Sequence, residues 1–149
     1  MFELPPDMPP AYPLEEVVEQ SCISFNSEHF GIPDIALEAI RRVENGKVCG
    51  VNSNTNGTAD LGPMQINTIH LPDIQSHYPD IDFSDVACKP CLNITISSWI
   101  LSQRLNEVDG DLWLAVGNYH SKTPHVRLRY LKKIEKAVEN IKRERSKGN

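Results

Sequence analysis

Apolar and polar positions along the chain alternate between stretches with a helical period and polar segments with none. Leu14, Val17, Val18, Cys22 and Phe25 share one helical face and predict a first helix from about Leu14 to Asn26. Ahead of it, prolines at 5, 6, 9, 10 and 13 exclude sustained helix, so residues 1–13 are read as a Pro-rich lead-in extended over the surface. From Pro33, the positions Ala36, Ala39, Ile40 and Val43 recur at i, i+3, i+4 and i+7, with proline suited to the first turn. Lys47 to Asp60 has no helical period and is rich in asparagine. Gly62 is expected to open a short helix with Met64 and Ile66 turned inward or toward a bound substrate, ending at His70-Leu71-Pro72. Leu92, Ile96, Trp99 and Ile100 mark a long buried helix from about Cys91 to Val108. Asp109-Gly110-Asp111 breaks that helix and caps the next, whose inward positions are Leu112, Ala115, Val116 and Tyr119. Thr123-Pro124 starts a last helix with Leu131, Ile134, Val138 and Ile141 on one face, and residues 143–149 read as a frayed charged tail.

One acidic residue stands apart in this pattern. Glu44 falls in the last turn of the second helix, four residues after Ile40 and near the apolar face, with Gly46 as the expected C′ residue. The negative end of the helix dipole and partial desolvation would both raise its pKa. A carboxyl protonated near neutral pH is what general-acid catalysis requires. An exposed helix-end glutamate with no role is the ordinary alternative, and the helix pattern alone favours it.

Length and composition narrow the class. With 149 residues, 40% apolar and 23% charged, the chain suits one globular domain over 14–142. The net charge of −5 argues against nucleic-acid binding, although Lys132 to Lys147 is locally basic. No apolar run is long enough to span a membrane. The first residues lack the basic and apolar regions of a signal peptide, so work outside the cytoplasm would imply a processed chain or another export route. Four cysteines, Cys22, Cys49, Cys88 and Cys91, allow three pairings, while Cys88-Lys89-Pro90-Cys91 also fits half a zinc site or a redox motif. Cys22 and Cys49 lie too far apart for a second close ligand pair. Disulfides are the favoured state, with Cys22–Cys91 and Cys49–Cys88 as the working pairing. Bridging Cys49 would tether the loop just after Glu44. His70 and His77 are read as surface residues, and Trp99 as core.

Three motifs in order carry a family resemblance: the helix-end Glu44, Gly62-Pro63-Met64-Gln65-Ile66-Asn67, and Asn118-Tyr119-His120-Ser121, with Cys91-Leu92-Asn93-Ile94 as a weaker fourth. Over about Cys22 to Tyr130 the chain resembles the family 1 lytic transglycosylases, and most of all their branch associated with type IV secretion, conjugation and pilus systems. It departs from the common pattern at Asn45, Pro63, His120 and Ser121. The resemblance implies a mainly α, lysozyme-like (α+β) fold: one compact helical domain with a short irregular β-hairpin or loop beside a catalytic cleft. It implies cleavage of the β-1,4 bond between N-acetylmuramic acid and N-acetylglucosamine in peptidoglycan, with Glu44 as the catalytic residue and no metal or cofactor. Gln65, Met64, Asn118, Tyr119, Ser53 and Asp60 become candidate substrate contacts, with Tyr119 over the glutamate. The implied setting is the periplasm or cell envelope, as a monomer acting on glycan strands beside an envelope-spanning machine. Two other readings stay open: a hydrolytic lysozyme with Asp60 as second carboxylate, and a wall-binding module without turnover.

Overall fold

The computed structural model describes residues 8–148; the first seven residues of the lead-in, and Asn149 of the tail, lie outside them. Among the described residues the chain forms seven α-helices and a small antiparallel sheet: α1 Glu16–Phe30, α2 Asp34–Glu44, β1 Val51–Ser53, β2 Ala59–Leu61, β3 Ile66–Asn67, α3 Leu71–His77, α4 Phe83–Cys88, α5 Pro90–Glu107, α6 Leu112–His120 and α7 Pro124–Lys147. A 3₁₀ turn, Thr68–His70, leads into α3. The architecture is therefore mainly α, as the periodicity and the resemblance both predict. Among the described residues no helix is long and apolar enough to cross a membrane.

Two compact units divide these elements. Of the described residues, the first comprises 8–22 and 44–97 and the second 23–43 and 98–148, so the chain changes unit within α1, before the last residue of α2 and within α5. The first unit buries Val48, Leu61, Met64, Ile66, Ile74, Val86 and Ile94. The sheet runs β1-β2-β3, with Val51 opposite Leu61, Asn52 opposite Asp60, and Leu61 opposite Ile66. Its β1–β2 turn closes through the Asn54 N–H on the Thr58 carbonyl at 2.8 Å, and Gly57 takes φ +85° there. Tyr12 of the lead-in exchanges two backbone hydrogen bonds with Val48. Both expected disulfides are present, Cys22–Cys91 and Cys49–Cys88, and both lie within this unit.

The second unit buries Ile32, Leu37, Ala39, Ile40, Leu101, Val116, Leu131, Ile134 and Ile141. Here α7 continues into the expected tail, as far as Lys147. The reason is ionic: Arg145 reaches Asp34 and Glu38, and Arg42 grips both carboxylate oxygens of Glu144 at 2.5 and 3.1 Å. That grip holds the Glu144 carboxyl below its ordinary value and raises Arg42. Such exposed pairs stabilise little individually, but together they keep the last turns helical.

Three expected elements change. Gly62 opens a turn, not a helix, because Gly62 and Gln65 both adopt left-handed backbone (φ +67° and +53°) and return the chain antiparallel to β2. The helix starts later, at Leu71, with Pro72 in its first turn. In α1 the buried residues are Cys22, Ile23 and Asn26, whereas Val17 and Phe25 are 75% and 63% exposed. The Cys22–Cys91 bridge turns the helix by its cysteine face, and Phe25 instead stacks on His29.

Candidate active site

Glu44 ends α2 and is half-buried. Asn45 follows in the left-handed conformation (φ +51°), so asparagine and not Gly46 terminates the helix. Gly46 is required for a different reason. Its N–H donates to the Pro63 carbonyl at 3.1 Å, and a Cβ added to it would lie 1.9 Å from the Gly62 carbonyl oxygen and 2.7 Å from the Gln65 amide nitrogen. Only a residue without a side chain lets the strand after Glu44 lie directly against the Gly62–Gln65 turn.

That turn is held on every side by groups of the same unit. The Gly62 N–H donates to the Gly50 carbonyl at 2.9 Å, and the Gly62 carbonyl accepts from both the backbone N–H and the side-chain Nε2 of Gln65. Beneath it lies Asn93, fully buried on α5. Its Oδ1 accepts the Met64 N–H at 2.8 Å, and its Nδ2 donates to the Leu61 and Val86 carbonyls, each at 2.9 Å. A buried carboxamide with all three bonds made fixes the turn without any charge. Gly62 has no room for a side chain, since a Cβ would meet Asn93 Nδ2 at 2.4 Å.

The loop from Gly46 to Gly50 is tied at several further points: the Val48 bridge to Tyr12, the Cys49 N–H on the Ala87 carbonyl at 2.7 Å, and the Cys49–Cys88 disulfide. Cys88 closes α4, whose N-terminus carries a reciprocal capping box between Asp82 and Asp85. The stretch after Glu44 is thus braced by covalent and hydrogen-bonded links to α4, to Tyr12 and to the Gly62–Gln65 turn, which Asn93 of α5 holds in its place.

Gln65 is half-buried, with its Oε1 accepting from Asn52 Nδ2 at 2.8 Å. Asp60, also half-buried on β2, accepts from Asn67 Nδ2 at 3.1 Å, and Asn67 caps the 3₁₀ turn through Ile69. Ser53 is exposed at the end of β1. Met64 is completely buried, so its side chain belongs to the core of the unit and presents no accessible surface. Glu44, Gln65, Asp60 and Ser53 all fall in the first unit. Asn118 and Tyr119 belong to the second. There both are half-buried near the end of α6; Asn118 Oδ1 accepts from Arg127 of α7 at 3.0 Å, and the neighbouring His120 ring stacks on Tyr130 with centroids 4.3 Å apart.

Reading the residues alone missed two of these parts. Asn52, one of several loop asparagines, is the partner that orients Gln65. Asn93 was visible only as part of a weak motif; the available signal was a carboxamide set among apolar residues on a helix built to be buried. Among the described residues no cluster of three or more histidine, cysteine, aspartate or glutamate side chains is arranged to hold a metal ion.

With this geometry in view, the comparisons are specific. Residues 21–141 match the family model described as the transglycosylase SLT domain. Similar curated proteins include the invasion protein IagB of Salmonella typhimurium, 31% identical over 118 residues that cover 76% of this chain and 72% of the relative. Protein IpgF of Shigella flexneri is 30% identical over 135 residues, 86% of each chain. A peptidoglycan-binding-like protein of Escherichia coli O157:H7 is 31% identical over 124 residues, 76% of this chain and 74% of its own.

Proposed function

The chain belongs to the transglycosylase SLT domain family, and from that premise we propose that it is a peptidoglycan lytic transglycosylase in which Glu44 serves as acid and then as base. One observation carries the reading: the residues just after Glu44 are fastened through Gly46 to the Gly62–Gln65 turn, in the first unit, inside the matched region. A carboxyl at a helix end, with braced backbone behind it and a polar amide next to that backbone, has the preorganisation that acid–base catalysis demands.

In the proposed reaction, protonated Glu44 gives its proton to the glycosidic oxygen as the bond from C1 of N-acetylmuramic acid breaks. The oxygen of the sugar's own 2-acetamido group bonds to C1 and takes up the developing positive charge, one of the exceptions to the two-carboxylate scheme. Ionised Glu44 then removes the proton of the C6 hydroxyl. Its oxygen attacks C1, the acetamido oxygen leaves, and a 1,6-anhydro end forms with Glu44 protonated again. No water is consumed. Gln65, Ser53 and Asp60, in the same unit as Glu44, are the proposed sugar contacts, and buried Met64 belongs to the core of that unit. The setting we infer is the cell envelope, where local opening of the wall serves a secretion, conjugation or pilus machine. A relative named as peptidoglycan-binding-like is consistent with a substrate in the wall.

A second reading has its own support. The relative named as peptidoglycan-binding-like is consistent with a module that holds the wall without cutting it. Digestion of purified peptidoglycan by the parent and by Glu44→Gln, with products resolved by mass spectrometry, separates the readings. The expected result is 1,6-anhydro muropeptides from the parent and a loss of about 10²-fold or more in rate for the variant. Products one water heavier would replace the transglycosylase with a lysozyme and direct attention to Asp60. Wall binding by both proteins with no release would replace it with the binding module.

A further inference from the structure

The outer face of α7 carries charge of a sign that the rest of the chain does not share. Nine lysine and arginine residues against three glutamates give this helix a formal +6, in a chain of net −5, which leaves −11 elsewhere. At 100° per residue, Arg129, Lys132, Lys136, Arg143 and Lys147 fall within an arc of about 60°, and all five are exposed. Lys133 lies beside them. The buried residues Tyr130, Leu131, Ile134, Ala137 and Ile141 occupy the opposite side, so the helix is anchored in its unit with this stripe facing out. Glu139 is the acidic residue bordering the stripe, and Glu144 is taken up by Arg42.

An apolar edge adjoins the N-terminal end of the stripe. Between α6 and α7 lies a groove of about 470 Å³ lined by Trp113, Leu114, Pro124, Leu128 and Leu131. Asp111 stands at this groove and caps α6 through the Leu114 N–H, and Arg127, also lining it, is bonded to Asn118. Trp113 and Leu128 are 47% and 55% exposed there. A tryptophan and a leucine at the margin of a cationic helix face suit the boundary between lipid headgroups and acyl chains, where indole rings settle and cations meet phosphates.

We propose that the α6–α7 face of the second unit docks on an anionic lipid bilayer, with Arg129, Lys132, Lys136, Arg143 and Lys147 against headgroup phosphates and Trp113 and Leu128 entering the interface. The opposed charges orient the protein: an anionic surface attracts this helix and repels the remainder. A stripe running about 27 Å from Arg129 to Lys147 meets several headgroups at once. The apolar pair favours a bilayer over a nucleic acid, which would need the phosphate contacts alone. The proposal is independent of the reaction assigned to Glu44.

The test is co-sedimentation of the full chain with vesicles of phosphatidylcholine alone and with roughly 30% phosphatidylglycerol, which sets a negative surface potential. Binding is expected only to the anionic vesicles and is expected to weaken as salt shortens the screening length. Each cation near such a surface is worth about 1 kcal/mol, so Arg129→Gln, Lys132→Gln and Lys136→Gln together should reduce partitioning roughly 100-fold. Brominated lipid should quench the fluorescence of the parent, and Trp113→Phe should lose that quenching. Equal binding to both vesicle types, an undiminished triple variant, or preference for a DNA duplex over anionic vesicles would overturn the proposal. The parent titration needs no variant, so a misfolded mutant does not leave the question open.

Discussion

Gly46→Ala is the sharpest probe of how the stretch after Glu44 is held. The added methyl would sit 1.9 Å from the Gly62 carbonyl oxygen, roughly 1.5 Å inside ordinary non-bonded contact. Gly62 cannot rotate away cheaply, because its N–H is committed to Gly50 and its carbonyl to both nitrogens of Gln65. Relief therefore costs the Gly46–Pro63 hydrogen bond and the two bonds onto the Gly62 carbonyl, at about 1 kcal/mol each. Overpacking adds about 1–3 kcal/mol, and the stiffer unfolded chain returns about 0.5–1 kcal/mol. The net destabilisation should be about 3–5 kcal/mol, a large part of the stability of a small protein. Urea unfolding with disulfides intact, followed by tryptophan fluorescence and far-UV circular dichroism, measures it. Gly57→Ala is the control: it has open space around it but φ +85°, so it should lose only about 1–2 kcal/mol from backbone strain. A loss below about 1 kcal/mol for Gly46→Ala would refute the close-approach argument.

Other perturbations test the supports around that turn. Asn93→Ala should cost about 4 kcal/mol in the same unfolding assay, because it strands the Met64 N–H and the Leu61 and Val86 carbonyls. Asn93→Asp should be no milder, since it sets a carboxylate oxygen against two carbonyls. Replacing Cys49 and Cys88 by serine should lower stability by about 4 kcal/mol through the entropy of a 39-residue separation, and replacing Cys22 and Cys91, separated by 69, by slightly more. Paired thermal melts would check that order. The Asp85 carboxyl is held below its ordinary 3.8, chiefly by accepting the Asp82 N–H and then by Lys89. A depressed carboxylate contributes stability above its unfolded value and loses it as pH falls through the folded one. The stability gap between the parent and Asp85→Asn should therefore be present at pH 7 and close as pH drops below 3.8.

Much of the helical framework was legible from periodicity. The face of α2, the Asp111 cap of α6 and the start of α7 at Pro124 are local matters, settled by spacing, capping chemistry and proline. Glu44 at the end of α2 was legible for the same reason. The cysteine pairing was chosen from three possibilities and is the one present. The Gly62–Asn67 motif forms a turn and a short strand in place of the expected helix, because its apolar residues are too few to show a period and its two left-handed residues follow from pairing with β2.

What the sequence by itself determined here is therefore the five longer helices α1, α2, α5, α6 and α7, their approximate ends and the candidate acid at one of them, since a helix is written in contacts three and four residues apart; the short α3 and α4 were not among them. The tertiary structure alone decided which side of α1 is buried, why Gly46 must lack a side chain, and that Asn93 and Asn52 position the turn and its glutamine. Each of those depends on partners between 13 and 69 positions away in the chain. No local pattern encodes such a partner; it exists only when packing brings the two segments together.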